Sequence, residues 1–262
     1  MQIDQMNDQQ DNEQVDSNKP VLTILYQDEY LVAVDKPAGL FVHRSFMDRD
    51  EKYFALQLVR DQVGQYVYPV HRLDRPTSGV LLFALDEETA RLMSNQFSER
   101  LIDKTYYALV RGFISDGGTI DYPLKEKLDK IGDKYVDKDK PAQSAVTSYQ
   151  AIATGVLNEK VGKFDTVRYS LVKLNPKTGR RHQIRRHLSH LRHPIIGDIN
   201  YGDNKQNPFF GRYFGFKRLM LQAKSLSFSH PVTKETITIE AQFDEQWCQL
   251  FEHFNWQVRS FS

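Results

Sequence analysis

Asp74 stands between two arginines in the segment His71-Arg72-Leu73-Asp74-Arg75-Pro76-Thr77-Ser78-Gly79. Nearby cations favour the charged form of a carboxylate. A charged, partly dehydrated carboxylate can serve as nucleophile or general base. The same pattern also suits a capped turn or a surface ion pair. Pro76 and Gly79 keep the segment out of helix and strand interiors. An apolar-aromatic run (66–70) leads in and a strand-like run (80–85) leads out. Two rigid elements would thus hold the loop, a common address for catalytic groups.

A second loaded segment is Lys177-Thr178-Gly179-Arg180-Arg181-His182-Gln183-Ile184-Arg185-Arg186-His187-Leu188. Its pattern predicts a turn followed by a basic helix over about 181–191. On such a helix Arg181 and Arg185 share a face, as do His182 and Arg186. One face can then reach a carboxylate while another meets phosphates. Residues 168–193 hold eight Lys and Arg and no Asp or Glu. A strip so one-sided attracts phosphate, more weakly as salt rises; it equally suits a solvated face whose counter-charges come from elsewhere in the fold. His182, His187, His190 and His193 invite a metal reading, but arginines among them repel a dication and no Cys or carboxylate accompanies them. No metal site is expected.

Elements must position these groups. Strands are predicted at 21–26, 30–35, 80–85, 104–112, 145–151, 167–174, 219–228 and 236–241. Helices are predicted at 51–63, from Asp86 as N-cap to about 100, at 181–191 and at 244–254. Ala90, Met93, Phe97 and Leu101 fall at helical spacing and are expected in the core. Strands outnumber helices and mostly follow one another, which predicts an α+β fold with a mixed or antiparallel sheet rather than a doubly wound one. There is no fixed-period repeat. Residues 1–20 are expected to be a disordered acidic tail, and 21–262 the catalytic domain. Residues 125–141 alternate six lysines with five acids and are expected to be a solvated insertion.

The 262 residues, 40% hydrophobic, suffice for a real core. The single cysteine, Cys248, excludes an intrachain disulfide framework and a Cys-rich zinc module, and fits a reducing compartment. No leader-like segment opens the chain and no apolar run is long enough for a bilayer, so a soluble, cytoplasmic protein is expected. The absence of a GxxxxGK[ST] loop argues against a P-loop NTPase.

Three ordered motifs, His71-Arg72-Leu73-Asp74, Lys104-Thr105-Tyr106-Tyr107-Ala108 and Gly179-Arg180-Arg181-His182-Gln183-Ile184-Arg185, resemble those of the RluA family of pseudouridine synthases. The likeness runs from about residue 21 to about 256, with support at 24–29, 42–45, 74–82 and 187–198. It implies a central mixed sheet with flanking helices and a cleft across it. It implies isomerisation of uridine to pseudouridine in RNA with no cofactor, most closely at uridine 65 of tRNA. Asp74 matches the family's catalytic aspartate, and Arg185 the basic residue that pairs with it. Tyr106 matches the tyrosine that stacks on the target uracil and helps remove a proton. Arg72 matches the arginine that fills the space left by the flipped nucleotide. Arg75, Lys177, Arg180, Arg181 and Arg186 are expected to meet RNA. Taken alone, Tyr106 is one of two adjacent strand tyrosines, one facing core and one solvent, and Arg185 a helix-surface arginine. Ribosomal RNA is the alternative substrate. A non-catalytic RNA-binding protein and a metal-dependent nuclease built on the histidines are the rival classes. A monomer is expected.

Overall fold

The computed structural model describes residues 19–44, 51–114, 116–126 and 141–257. Nearly all of the expected tail, and the expected insertion from 127 to 140, lie outside them. The elements run β1 (Thr23–Gln27), β2 (Leu31–Lys36), α1 (Ala55–Val63), β3 (Tyr68–Pro69), β4 (Ser78–Ala84), α2 (Glu87–Ser98), β5 (Asp103–Arg111), β6 (Gly117–Asp121), β7 (Val146–Leu157), β8 (Val167–Pro176), α3 (Gln183–His190), α4 (Gln206–Phe214), β9 (Leu221–Ser229), β10 (Thr236–Glu240) and α5 (Glu245–His253). The strands form one mixed sheet in the order β1-β2-β4-β9-β5-β8-β7-β6, with β10 on β9 and β3 on β4. This is the α+β architecture that the strand-rich pattern predicts.

Both faces of β4 are covered. Leu81 and Phe83 pack in one cluster with Ala55, Leu58 and Val59 of α1; Val80, Leu82 and Ala84 pack in another with Met93 of α2. Alternate residues of a strand point to opposite faces, so a doubly covered stretch must be apolar throughout, as 80–84 of β4 are. Burying each large side chain contributes about 1.5–3 kcal/mol. A third cluster joins Tyr107 and Leu109 of β5, Tyr169 and Leu171 of β8, Leu188 of α3 and Trp247 of α5.

The only parallel contact among the described strands, β4 with β9, is two residues long: Ser78 opposite Gln222 and Gly79 opposite Ala223. Here the backbones close in. Gly79 has φ +108, and a Cβ on it would lie 2.1 Å from the Ala223 carbonyl oxygen. Only glycine meets both conditions.

Three local expectations need correction. The helix after Asp86 forms as expected, with the Asp86 carboxylate accepting from the Thr89 N–H at 2.8 Å. It ends at Ser98, however, and Arg100 turns the chain at φ 63. Leu101 is therefore 61% exposed, and Ile102 takes the core position instead. The basic helix starts at Gln183, not 181, because His182 sits in the left-handed region at φ 56. Arg181 thus precedes the helix and shares no helical face with Arg185. Finally, β6 and α4 had no clear sequence signal. The first opens on Gly117-Gly118, and the second carries Pro208 and Gly211.

Candidate active site

The sheet order explains how the three motifs converge. Ala223 of β9 pairs with Gly79 on one side and with Tyr106 on the other. Paired strands lie about 4.8 Å apart, so the end of the Asp74 loop and Tyr106 are about 10 Å apart at their backbones. Tyr106 in turn pairs with Leu174 of β8, the strand that runs on toward α3 and Arg185. A register shift between Thr105 and Tyr106 interrupts the β5–β9 ladder, and such bulges re-aim the side chains beside them. Tyr107 is buried in the core while Tyr106 is partly exposed, as expected of the adjacent pair.

Asp74 and Arg185 meet. The Arg185 Nη1 donates to Asp74 Oδ2 at 3.2 Å. Arg185 is not a surface residue: its side chain is 3% exposed, against 22% for Asp74. Its far edge forks onto Asp198, with Nε and Nη2 each donating at 2.8 Å. Asp198 also accepts the N–H groups of Asn200 and Tyr201. Burial works against the charge on Asp198, but Arg185 and these N–H donors outweigh it and hold the carboxyl below its usual range. For Arg185, burial is likewise outweighed by Asp198 and then Asp74, so the guanidinium is a fixed cation. Asp198 therefore aims Arg185 at Asp74, and sequence reasoning missed it. Its signal is the turn 194–198, where Gly197 at φ +78 brings the backbone against the Arg218 carbonyl.

Two further neighbours surround the carboxylate. His182 Nε2 lies 3.8 Å from Asp74 Oδ2, and its Nδ1 lies 3.0 Å from the Tyr201 hydroxyl. Lys36 is fully buried and donates to the carbonyls of Pro37, Leu40 and Arg75, at 2.9, 2.7 and 3.0 Å. It ties the exit of β2 to the Asp74 loop. Burial pushes its ammonium down to about 7, against the opposing pull of Asp74. His71 anchors the other end of the loop: its Nε2 accepts from the Leu82 N–H at 3.0 Å, and its ring stacks on Phe97. Burial, and then the charge on Asp74, raises the Tyr106 phenol well above the usual tyrosine range.

The arginines expected to meet RNA do not form one strip. Arg72 is exposed, with its charge felt by His43. Arg75 is held by Glu51, by the Gly39 carbonyl and by the Phe41 ring. Lys177 faces Asp103 at 3.6 Å, and Arg180 Nε donates to the Ser144 carbonyl. Arg181 is exposed, and Arg186 is half-buried within reach of His187. The expected continuous face is split because its residues span β8, a turn and α3, with Arg185 turned inward. The histidines diverge too. His187 bonds to Thr147 and the Tyr122 carbonyl, His190 stacks on Tyr122, and His193 bonds to the Arg111 carbonyl.

The site thus sets a buried, fixed cation beside a partly exposed carboxylate, with Tyr106 on β5 two strands over from β4. The RNA pseudouridylate synthase family matches residues 30–190, and the chain belongs to it. Among curated proteins it is similar to the tRNA pseudouridine synthase C of Yersinia pestis, 54% identical over 90% of this chain and 92% of that protein. The protein of the same name from Haemophilus ducreyi is 55% identical over 92% and 98%. Of solved structures, human RNA pseudouridylate synthase domain containing 4 superposes with TM-score 0.66 at 26% identity, covering 89% of this chain and 93% of that one. No helix among the described residues is long and apolar enough to cross a membrane.

Proposed function

We propose that this enzyme converts a uridine of tRNA, position 65, to pseudouridine, with Asp74 as the reacting carboxylate, Arg185 as its cation and Tyr106 as the ring beneath the uracil. The observation that carries the reading is the 3.2 Å contact between Asp74 and a guanidinium locked by Asp198. The tRNA assignment is supported by relatives named tRNA pseudouridine synthase C at 52–55% identity over most of both chains.

The reaction breaks C1′–N1 and forms C1′–C5; a proton leaves C5 and one is gained at N1. Nothing is oxidised or reduced. Asp74 acts on C1′, on C6 or on the C2′ proton, and each route needs it ionised at the start. Arg185 supplies that condition, because its positive charge offsets dehydration of the carboxylate. The Tyr106 ring holds the detached uracil in plane while it turns. Its phenol keeps its proton at neutral pH, so it acts by its face and as a hydrogen-bonding hydroxyl, not as a phenolate.

The target nucleotide must first leave the helix stack, at a cost of a few kcal/mol. Arg72 fills the gap it leaves. Phosphate contacts from Lys177, Arg180, Arg181, Arg186 and the partly engaged Arg75 offset the cost, and make binding fall with salt. Residues 21–262 work as one catalytic unit, a monomer in the cytoplasm. Mapping pseudouridine in cellular RNA with and without the gene tests the target. Loss at position 65 of tRNA supports the assignment; loss in ribosomal RNA alone overturns it.

A further inference from the structure

His182 lies in the left-handed region, at φ 56 and ψ 28, a conformation that histidine adopts more readily than most non-glycine residues. It begins α3 without a side-chain cap; the helix entry is fixed instead by Gln183, whose side chain bonds Thr178, the Arg180 N–H, Thr147 and the Val146 carbonyl. The helix therefore does not need an imidazole at this position.

The imidazole is held at both ends. Nδ1 faces the Tyr201 hydroxyl at 3.0 Å, and Nε2 faces Asp74 Oδ2 at 3.8 Å. Arg185 reaches that same oxygen, Oδ2. Both groups approach the carboxylate on its Oδ2 side, Arg185 by a hydrogen bond at 3.2 Å and His182 at 3.8 Å. Beside a carboxylate a neutral ring places its hydrogen on Nε2, and the Tyr201 hydroxyl then donates to Nδ1. At 3.8 Å the Nε2 contact is beyond hydrogen-bond length; catalytic contacts commonly tighten once substrate is bound.

We propose that His182 is a positioning residue for the isomerisation, its Nε2–H steadying Asp74 Oδ2 alongside Arg185 so that Oδ1 meets the nucleotide. The inference rests on Asp74 being the reacting group. The charged and titratable groups facing the ring are Asp74 from the β3–β4 loop, Asp198 and Tyr201 from the segment after α3, and Arg181 and Arg185 from its own segment. Burial, with Arg185 and Arg181 and against Asp74, holds the imidazolium below the usual histidine range, so the ring is neutral at pH 7. Acidification charges it, which adds a second cation against Asp74 and weakens it as a base.

The test compares His182→Gly and His182→Gln in single-turnover conversion of a tRNA transcript. Glycine accepts the backbone angle and removes the donor. Glutamine places an Nε2–H near the same point and does not titrate. The glycine variant is expected to lose about tenfold in rate at neutral pH, with RNA affinity within about twofold and its thermal midpoint kept. The glutamine variant should recover most of that rate. Any other pattern overturns the inference, including a full rate in the glycine variant, equal losses in both, or a loss confined to affinity. An Asp74→Asn control separates the two claims. If it is inactive while His182→Gly is fully active, only the role of His182 fails. If it still makes pseudouridine, the reading of Asp74 itself fails.

Discussion

Arg185 Nη1 reaches Asp74 Oδ2 at 3.2 Å across 111 residues of sequence, while its other edge is clamped by Asp198 at 2.8 Å. The shared guanidinium bridges the partly exposed Asp74 and the buried Asp198. A helix-surface arginine could be replaced at little cost to the fold, but leucine in place of Arg185 would leave Asp198 charged, buried and without its guanidinium. Losing one partner of a buried pair costs about 3–5 kcal/mol. Arg185→Leu is expected to lower the unfolding free energy read from a urea titration by that order, and Arg185→Lys to fold with conversion reduced at least about tenfold because one ammonium cannot fork onto Asp198. An Arg185→Leu protein of wild-type stability would contradict the bridge.

Tyr106 separates ring from hydroxyl. Its phenol is held protonated by burial and by Asp74. Turnover should therefore show no rise between pH 8 and 10 from tyrosine ionisation, where an ordinary phenol begins to titrate at about 10. Tyr106→Phe should bind RNA normally and lose up to about tenfold in conversion, the worth of one hydrogen bond at about 1 kcal/mol. Tyr106→Leu should also weaken substrate binding. A phenylalanine variant at full rate would restrict the residue to stacking.

Gly79 sets the approach of the Asp74 loop to β9. An alanine there would put its Cβ 2.1 Å from the Ala223 oxygen at φ +108. Both faults act on backbone, so side-chain movement cannot relieve them. Gly79→Ala is expected to destabilise by more than about 4 kcal/mol, among the largest single-residue effects. Differential scanning calorimetry would read it, and a melting temperature within a few degrees of wild type would count against this geometry.

His71 makes the fold acid-sensitive. Burial, and then the charge on Lys104, pushes its ring down to about 3, while an unfolded histidine titrates near about 6.5. Below that value the unfolded chain binds more protons than the folded one, so stability falls as pH drops from about 6.5 toward about 3, at up to about 1.4 kcal/mol per unit. Above about 6.5 the contribution is fully present. His71→Gln keeps an acceptor for the Leu82 N–H and does not titrate. Its urea midpoint should fall less than wild type's between neutral and mildly acid solution. Equal acid losses would show that other groups set the sensitivity.

Much of this was legible in the sequence. Apolar runs gave β2, β4, β5 and β9; Asp86 gave a helix start; motif order gave Asp74, Tyr106 and Arg185. What stayed hidden was set by long-range contact. Asp198 is an ordinary turn aspartate until the fold brings Arg185 to it. Lys36 reads as the polar end of a strand, yet it is fully buried on three carbonyls, including one from the catalytic loop. The left-handed turn at His182 has no glycine or asparagine to announce it. Leu101 followed helical spacing, but the helix had already ended. The basic strip was a property of the chain and not of the surface, because a strand, a turn and a helix point its charges differently.

The central claim is that Asp74 is the carboxylate that works on the flipped uridine. Its most direct test is a single-turnover assay of pseudouridine formation by Asp74→Asn, a change that keeps shape and removes the charge. No product above background is predicted, with RNA affinity within about twofold of wild type, since the remaining RNA contacts are unchanged. Measurable conversion by a preparation free of wild-type enzyme would contradict the account.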